Sequence, residues 1–373
     1  SPEILSMAPL DSGDWEFDRV GEMTQVDGTS MPLTGAKATV LTIDGKEMIH
    51  VIGGTDTLQT LALSKPANFL FDPEIDQIVW HPTLDKQEPY FNKYQPYVAT
   101  LDNGHILSIS ANYRPTSGGW SLPSSDAASA EIFDPFTKEF THRQADIGQP
   151  FGGFSGAEVA FSGHLLCGGG RWEQTGGTGW LVPDSSCRLI KGNLTREVWE
   201  SLPLPATGEG IAFHSMVRLN NEEGSILLTG GVTERASNTQ SAKAVTTAWI
   251  LRQPSSSASW EQVGNLNLAR AAHHMIADSD GGALVVGGGD AMGPGYPSDF
   301  SSISCIEYFN PDSETFEQIG SCEESGAGPF PVVATHPIHE SLLFGNYLLT
   351  EGRGEFSVLP TQGPEDLDWS LLE

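Results

Sequence analysis

The chain has 373 residues and a formal net charge of −29, with 48 acidic residues against 19 lysines and arginines. That balance argues against nucleic acid and against an anionic membrane surface, since both need clustered basic groups. No apolar run approaches the ~20 residues of a membrane span. The start Ser1-Pro2-Glu3 reads as that of a processed or engineered chain.

In chain order, Trp15-Glu16-Phe17-Asp18-Arg19-Val20-Gly21 comes first, an isolated strand with no partner beside it. Then a pattern begins. Val40-Leu41-Thr42-Ile43, the turn Asp44-Gly45 and His50-Val51-Ile52-Gly53-Gly54 read as a hairpin ending in a glycine pair. A strand at Ala67-Asn68-Phe69-Leu70-Phe71-Asp72-Pro73 follows. The pattern returns at Ser108-Ile109-Ser110-Ala111, Leu165-Leu166-Cys167-Gly168-Gly169, Leu227-Leu228-Thr229-Gly230-Gly231, Leu284-Val285-Val286-Gly287-Gly288 and Leu342-Leu343-Phe344-Gly345. The pairs begin at 53, 110, 168, 230, 287 and 345, in steps of 57, 58, 62, 57 and 58. Outer strands carry Trp, as in Trp199-Glu200 and Trp260-Glu261-Gln262-Val263. Four short strands per unit, at a fixed period and with paired glycines, are the signature of a kelch-type blade.

The expected fold is therefore all-β: a six-bladed propeller of four-stranded antiparallel blades, forming one domain over residues 1–373. The blades fall near 35–90, 94–145, 151–205, 210–267, 269–322 and 330–359. The last is completed by 15–21, because Trp15 onwards resembles Trp260-Glu261-Gln262-Val263-Gly264. Pairing the N-terminal strand into the C-terminal blade closes the ring and removes a sheet edge. The alternative is a seventh blade split between the termini.

Propeller topology places the loops after the second strands on one face, around the central channel, and there they are long: 113–129, 171–185, 233–245 and 290–302. Two residues past each pair stand Asp56, Tyr113, Arg171, Thr233, Asp290 and Leu348, which differ in charge and size as an asymmetric pocket requires. Aligning first strands instead pairs His214 with His273 at the channel mouth. Tyr113, Arg171, His214, His273 and Asp290 are the candidate catalytic residues. Arg114, Trp120, Trp172, Trp180, Tyr296 and Tyr347 are candidates for substrate binding, with Arg235 and Arg353 nearby. The ligand expected is a small molecule of aromatic or cyclic character. No cofactor and no metal is expected: His273 and His274 are adjacent on a strand and point to opposite faces, and no zinc-type spacing occurs.

Four cysteines lie on second, third and fourth strands. Two bridges, Cys167–Cys187 and Cys305–Cys322, are expected; four buried free thiols are the alternative. Asn193-Leu194-Thr195 is a glycosylation sequon in a turn. Together these place the chain in the secretory pathway.

Gly104-His105-Ile106-Leu107, Ser117-Gly118-Gly119, Ala130-Glu131-Ile132-Phe133-Asp134-Pro135 and the blade from 270 to 320 resemble the kelch and galactose-oxidase-like propellers. The resemblance spans about residues 15 to 359. Galactose oxidase would imply copper held by tyrosines and histidines, a ligand set that has no match here. Size, blade number and aromatic loops are similar to the fungal propellers of tropolone-sesquiterpenoid pathways. That likeness implies dehydration of a tropolone-type alcohol to a quinone methide and its hetero-Diels–Alder addition to a terpene alkene. The alternatives are a secreted polysaccharide lyase cleaving a rhamnosyl-glucuronate linkage by β-elimination and a non-catalytic carbohydrate-binding kelch module.

Overall fold

The computed structural model describes residues 3–9, 15–22, 332–336, 340–344 and most of 34–319. Within 34–319 the stretches 56–66, 76, 81–93, 112–113, 117–118, 122–127, 145–151, 160–162, 176–177, 192–195, 198–209, 238–239, 256–257, 279, 293–302 and 304 fall outside the description. Every regular element among the described residues is a strand.

Five antiparallel sheets follow one another along the chain, each built on four blade strands, the third extended to six strands by Thr178–Pro183 and Ala236–Ser237. The first holds Thr34–Ile43, Lys46–Thr55, Ala67–Asp72 and Gln77–Trp80, and the second Tyr94–Thr100, Ile106–Ala111, Ala128–Asp134 and Glu139–Gln144. The third holds Gly152–Val159, Gly163–Thr175, Cys187–Lys191 and Arg196–Glu197. In the fourth are Ser215–Arg218, Ile226–Thr229, Ala248–Leu251 and Trp260–Gln262, and in the fifth His274–Ala277, Ala283–Val286, Ile306–Asn310 and Thr315–Ile319. Each sheet keeps chain order from first strand to fourth. These are the blades of an all-β propeller.

Each blade is apolar on both faces, so the core lies between blades rather than within one. Leu41 and Leu70 meet Ile106 and Phe133 between blades one and two. Leu107 and Ile109 meet Phe154 and Leu166 between two and three. Leu165 and Leu189 meet Met216 and Leu228 next, then Leu227 and Ile250 meet Met275 and Phe309. Removing this surface from water drives the radial stacking.

A further four-stranded sheet brings the two ends of the chain together. Its order is Val332–His336, Glu340–Phe344, Glu3–Pro9 and Trp15–Glu22. Sequence reading supplied one N-terminal strand here; two enter, with Glu3–Pro9 between Trp15–Glu22 and the C-terminal hairpin.

The expected loops also carry more structure than their composition showed. The second strand of blade three does not stop at its glycines but runs on to Thr175 and folds back as Thr178–Pro183. Arg171 and Trp172 therefore stand on a hairpin, opposite Val182 and Leu181. Arg114–Thr116 and Gly119–Ser121 form a smaller hairpin that carries Arg114 and Trp120. The long hairpin of blade three pairs with blade four, Trp180 with Ser237 and Leu181 with Ala236. Blade four pairs in turn with blade five, Ala242 with Met292 and Lys243 with Ala291. Backbone groups left by the interrupted sheets find partners in this way.

Cys167 and Cys187 face each other across strands two and three of blade three and are bridged, with Cα atoms 4.0 Å apart. That is closer than the ~4.4–6.8 Å expected of disulfides, because the two residues form a narrow, non-hydrogen-bonded pair; the next pair carries the bond, Gly168 N–H to Ser186 O at 2.9 Å. Cys305, just before the third strand of blade five, is also disulfide-bonded. Its expected partner Cys322 lies outside the described residues, as do Asn193, Tyr113, Tyr296, Tyr347 and Arg353.

Candidate functional site at the channel mouth

The first strands of all five blades converge on a cavity of about 220 Å³. Its wall takes Lys37 from blade one and Tyr97 from blade two. Phe154 and Ser155 come from blade three, Phe213, His214 and Met216 from blade four, and His273 and His274 from blade five.

Strand register shows which of these are equivalent. Lys37 pairs with Ile52, Tyr97 with Ile109, Ser155 with Cys167, Ser215 with Thr229 and His274 with Val286. Each partner directly precedes a blade's glycine pair or, in blade two, Ser110. So Lys37, Tyr97, Ser155, Ser215 and His274 occupy one ring of positions. One residue earlier stand Phe154, His214 and His273.

The glycines exist to make room for that second set. Gly168 has φ +61°, and a Cβ there would sit 2.4 Å from Ile211 O and 2.7 Å from His214 Cε1. Gly230 has φ +59°, and its Cβ would meet Arg270 O at 2.3 Å and His273 Cε1 at 2.7 Å. Each imidazole thus lies over the glycine of the preceding blade, where no larger residue fits. The backbone beside them is bonded blade to blade: Phe213 N–H to Gly153 O at 2.6 Å and Ala272 N–H to Phe213 O at 2.7 Å. Gly153, Phe213 and Ala272 all have positive φ, which turns the chain into the channel.

His273 is 4% exposed, and its Nε2 lies 2.7 Å from Thr229 Oγ1. The Thr229 hydroxyl donates to Met275 Sδ at 3.1 Å, so it accepts from His273 Nε2–H. His214 is 5% exposed, and among the described residues neither of its ring nitrogens has a hydrogen-bond partner. Burial pushes the His214 imidazole down to about 3. It holds His273 well below the usual histidine range too, with the charge of Arg270 adding to it. Both rings are neutral near pH 7.

Lys37 Nζ lies 2.7 Å from His274 Nδ1, the ammonium donating. Burial pushes Lys37 down to about 8. Burial and the charge of Lys37 hold His274 well below its ordinary value. Tyr97 turns toward blade three, where its hydroxyl lies 2.9 Å from His164 Nδ1. Arg270, close behind His273, is fully buried and committed: it binds Glu307 at 2.6 Å and the carbonyls of Gly287 and Cys305, each at 2.9 Å.

Of the catalytic candidates, the structure brings His214 and His273 together. Asp290 is exposed and off the cavity wall; its backbone oxygen accepts from Ala244 N–H at 2.9 Å. Trp180 is half-buried on its hairpin, and Arg235 is turned outward, 3.7 Å from Glu173. Lys37, His274, Phe154 and Phe213 were missed. Carrying the strand alignment one residue past the histidines would have reached Lys37 and His274, and Lys37 sits between two alanines in an otherwise apolar-and-threonine strand.

No family model and no curated protein matches the sequence. Among solved structures, one titled "Structure of YjhT", a kelch-repeat propeller protein, aligns over 89% of this chain and 96% of that one, with a TM-score of 0.59 at 10% identity. The chain shares the β-propeller fold of that protein. At that identity the likeness extends to the fold alone. What the propeller does therefore rests on the chemistry of its axial cavity.

Proposed function

We propose that the protein is an enzyme of natural-product biosynthesis. It dehydrates a tropolone-type alcohol to a quinone methide in the axial cavity and guides hetero-Diels–Alder addition of that species to a terpene alkene. The observation that carries this reading is His214, a neutral imidazole whose two nitrogens have no partner among the described residues, on a wall that combines Phe154, Phe213, Met216 and Tyr97 with the polar Lys37, His273 and His274.

Loss of water moves one proton, on balance, from the ring hydroxyl to the departing hydroxyl. The ring C–O bond gains double-bond character, the exocyclic C–O bond breaks, and the electron pair leaves with the water. A neutral imidazole serves both ends, accepting at one nitrogen and donating from the other. It never has to persist as an imidazolium, which its depressed basicity disfavours. His273, expected in the same role, has one nitrogen tied to Thr229 and fits a positioning part.

The volume divides the reactants. Ligand pockets for drug-sized molecules run from ~300 to 1,000 Å³, so about 220 Å³ suits a single small ring. The alkene partner would lie further out, toward the hairpins bearing Arg114, Trp120, Arg171, Trp172 and Trp180. Holding two apolar partners in reacting geometry supplies much of a cycloaddition's acceleration.

The same proposal includes the architecture: six blades, with Glu3–Pro9 and Trp15–Glu22 completing the last and closing the ring. It also includes the secretory pathway, which a buried disulfide favours. The test incubates the protein with a tropolone alcohol and a humulene-type alkene, and separately with a rhamnosyl-glucuronate saccharide. Cycloadduct formation that depends on the protein supports the reading. An unsaturated uronate from the saccharide replaces it with the lyase, and turnover of neither abandons catalysis for binding.

A further inference from the structure

Among the described residues, Lys37 is the one lysine or arginine on the cavity wall, and no Asp or Glu shares that wall. This is unusual in a chain with 48 acidic residues against 19 basic ones. Among the described residues, the sole polar partner of Lys37 is the neutral imidazole of His274, 2.7 Å away. Arg270 does not compete for a ligand, because Glu307 and two carbonyls use its guanidinium. A half-buried ammonium with no carboxylate is an uncompensated charge, and such charges in proteins are ordinarily paired. An ammonium has three protons to give, and His274 takes one.

We propose that Lys37 is the counter-charge for an anionic oxygen of the ligand, so that the axial cavity takes a small planar acid as its monoanion. This rests on the reading of the cavity as the reacting site. The fitting ligands share one chemistry, a delocalised oxyanion on an unsaturated ring, of which tropolonate is an example. His274 Nδ1 aims the ammonium, Phe154 and Phe213 supply apolar wall, and the imidazoles beside them are neutral hydrogen-bonding groups. The bound monoanion has already given up the ring-hydroxyl proton, so in loss of water His214 donates its N–H to the departing hydroxyl and regains a proton from solvent, while the charge that Lys37 held on the ring oxygen passes into the new C–O double bond. The burial that pushes Lys37 down to about 8 is what an anion in the cavity would offset.

The experiment is a calorimetric titration of the full chain with tropolone and, separately, with its uncharged methyl ether, 2-methoxytropone. The wild type should favour tropolone about tenfold or more, the scale of one charge-assisted hydrogen bond. Lys37→Met should abolish that preference and leave 2-methoxytropone binding unchanged; Lys37→Arg should keep part of it. Equal affinity for the two probes, or a preference retained in Lys37→Met, overturns the proposal. Should Lys37→Met fail to fold, acetic anhydride labelling of wild-type Lys37 decides. Protection by tropolone but not by 2-methoxytropone supports the pairing, and equal labelling with either overturns it. Discrimination between the probes without any cycloadduct would sink the proposed reaction and leave the anion site standing. Cycloadduct without discrimination would sink the anion site alone.

Discussion

His214 and His273 occupy the same backbone slot in neighbouring blades, over equivalent glycines, yet they differ in chemistry. Beneath His273 the preceding blade offers the Thr229 hydroxyl. At the equivalent place beneath His214 it offers Cys167, whose sulfur is closed in the bridge to Cys187. One ring is therefore pinned and the other is left without a partner. In a repeat protein, the reactivity of a residue is thus set by what the adjacent repeat places under it.

The largest effect should come from emptying the unpinned slot. Phe154 shows that the slot holds a phenyl ring, so His214→Phe should fold. Product formation should fall roughly 10²–10⁴-fold, the usual contribution of a general acid–base, while denaturant melts show stability unchanged or improved. Activity above a tenth of wild type would remove His214 from the mechanism.

Next in size is the exchange that makes the two slots alike. Cys167→Thr with Cys187→Ala places a hydroxyl under His214. Losing a bridge between residues 20 apart should cost about 3 kcal/mol of unfolding free energy. Turnover should fall beyond that of the control pair Cys167→Val with Cys187→Ala, because the new hydroxyl would engage the ring as Thr229 engages His273. Equal turnover in the two pairs would break the comparison.

His273→Phe should act in the opposite sense to His214→Phe. It removes the donor to the buried Thr229 oxygen and leaves that hydroxyl only its bond to the Met275 sulfur, which should cost about 1 kcal/mol. Equilibrium unfolding in guanidinium should show the loss, with activity per folded molecule changing less than in His214→Phe.

The last effect is a pH slope, small within any one pH unit. His214 is held at about 3 in the folded chain, while an unfolded histidine titrates near 6.5. Between those values the unfolded state binds the extra proton, so stability falls as pH drops from about 6.5 toward 3. The slope is at most about 1.4 kcal/mol per pH unit for each such group. His50 and His164, each held at about 4 by burial, add to it with the same sign. His214→Phe should flatten the slope by one proton's worth in melts between pH 4 and 6.5; an unaltered slope would mean that His214 does not titrate on unfolding.

The fold was legible because the glycine pairs answer a backbone requirement. Gly168, Gly230 and Gly287 all sit at φ near +60°, and at Gly168 and Gly230 a Cβ would strike the neighbouring blade. A demand of that kind repeats visibly along a chain. The pinned and unpinned histidines were legible for the same reason, as equivalent positions on first strands. Lys37 was not, because on an alternating strand a lysine reads as a solvent-facing residue until the ring is assembled. Arg171 and Trp172 read as loop, since the strand carrying them is defined by pairing across to Thr178–Pro183 and then to blade four, partners that no local pattern announces. The fully buried pair Arg270 and Glu307 was equally silent, its two members lying 37 residues apart.

The backbone bonds around the channel mouth have a consequence for motion. The amide protons of Gly169, Phe213, Gly231 and Ala272 all go to carbonyls of an adjoining blade: Ile211 O, Gly153 O, Arg270 O and Phe213 O. Deuterium reaches those four amides only when two blades part, so their protection measures blade separation rather than fraying of a strand. Blades three, four and five should then open as one cooperative unit. A ligand in the cavity should slow all four amides together, by the factor 1 + [L]/Kd, and turn the central channel into a reporter of its own occupancy.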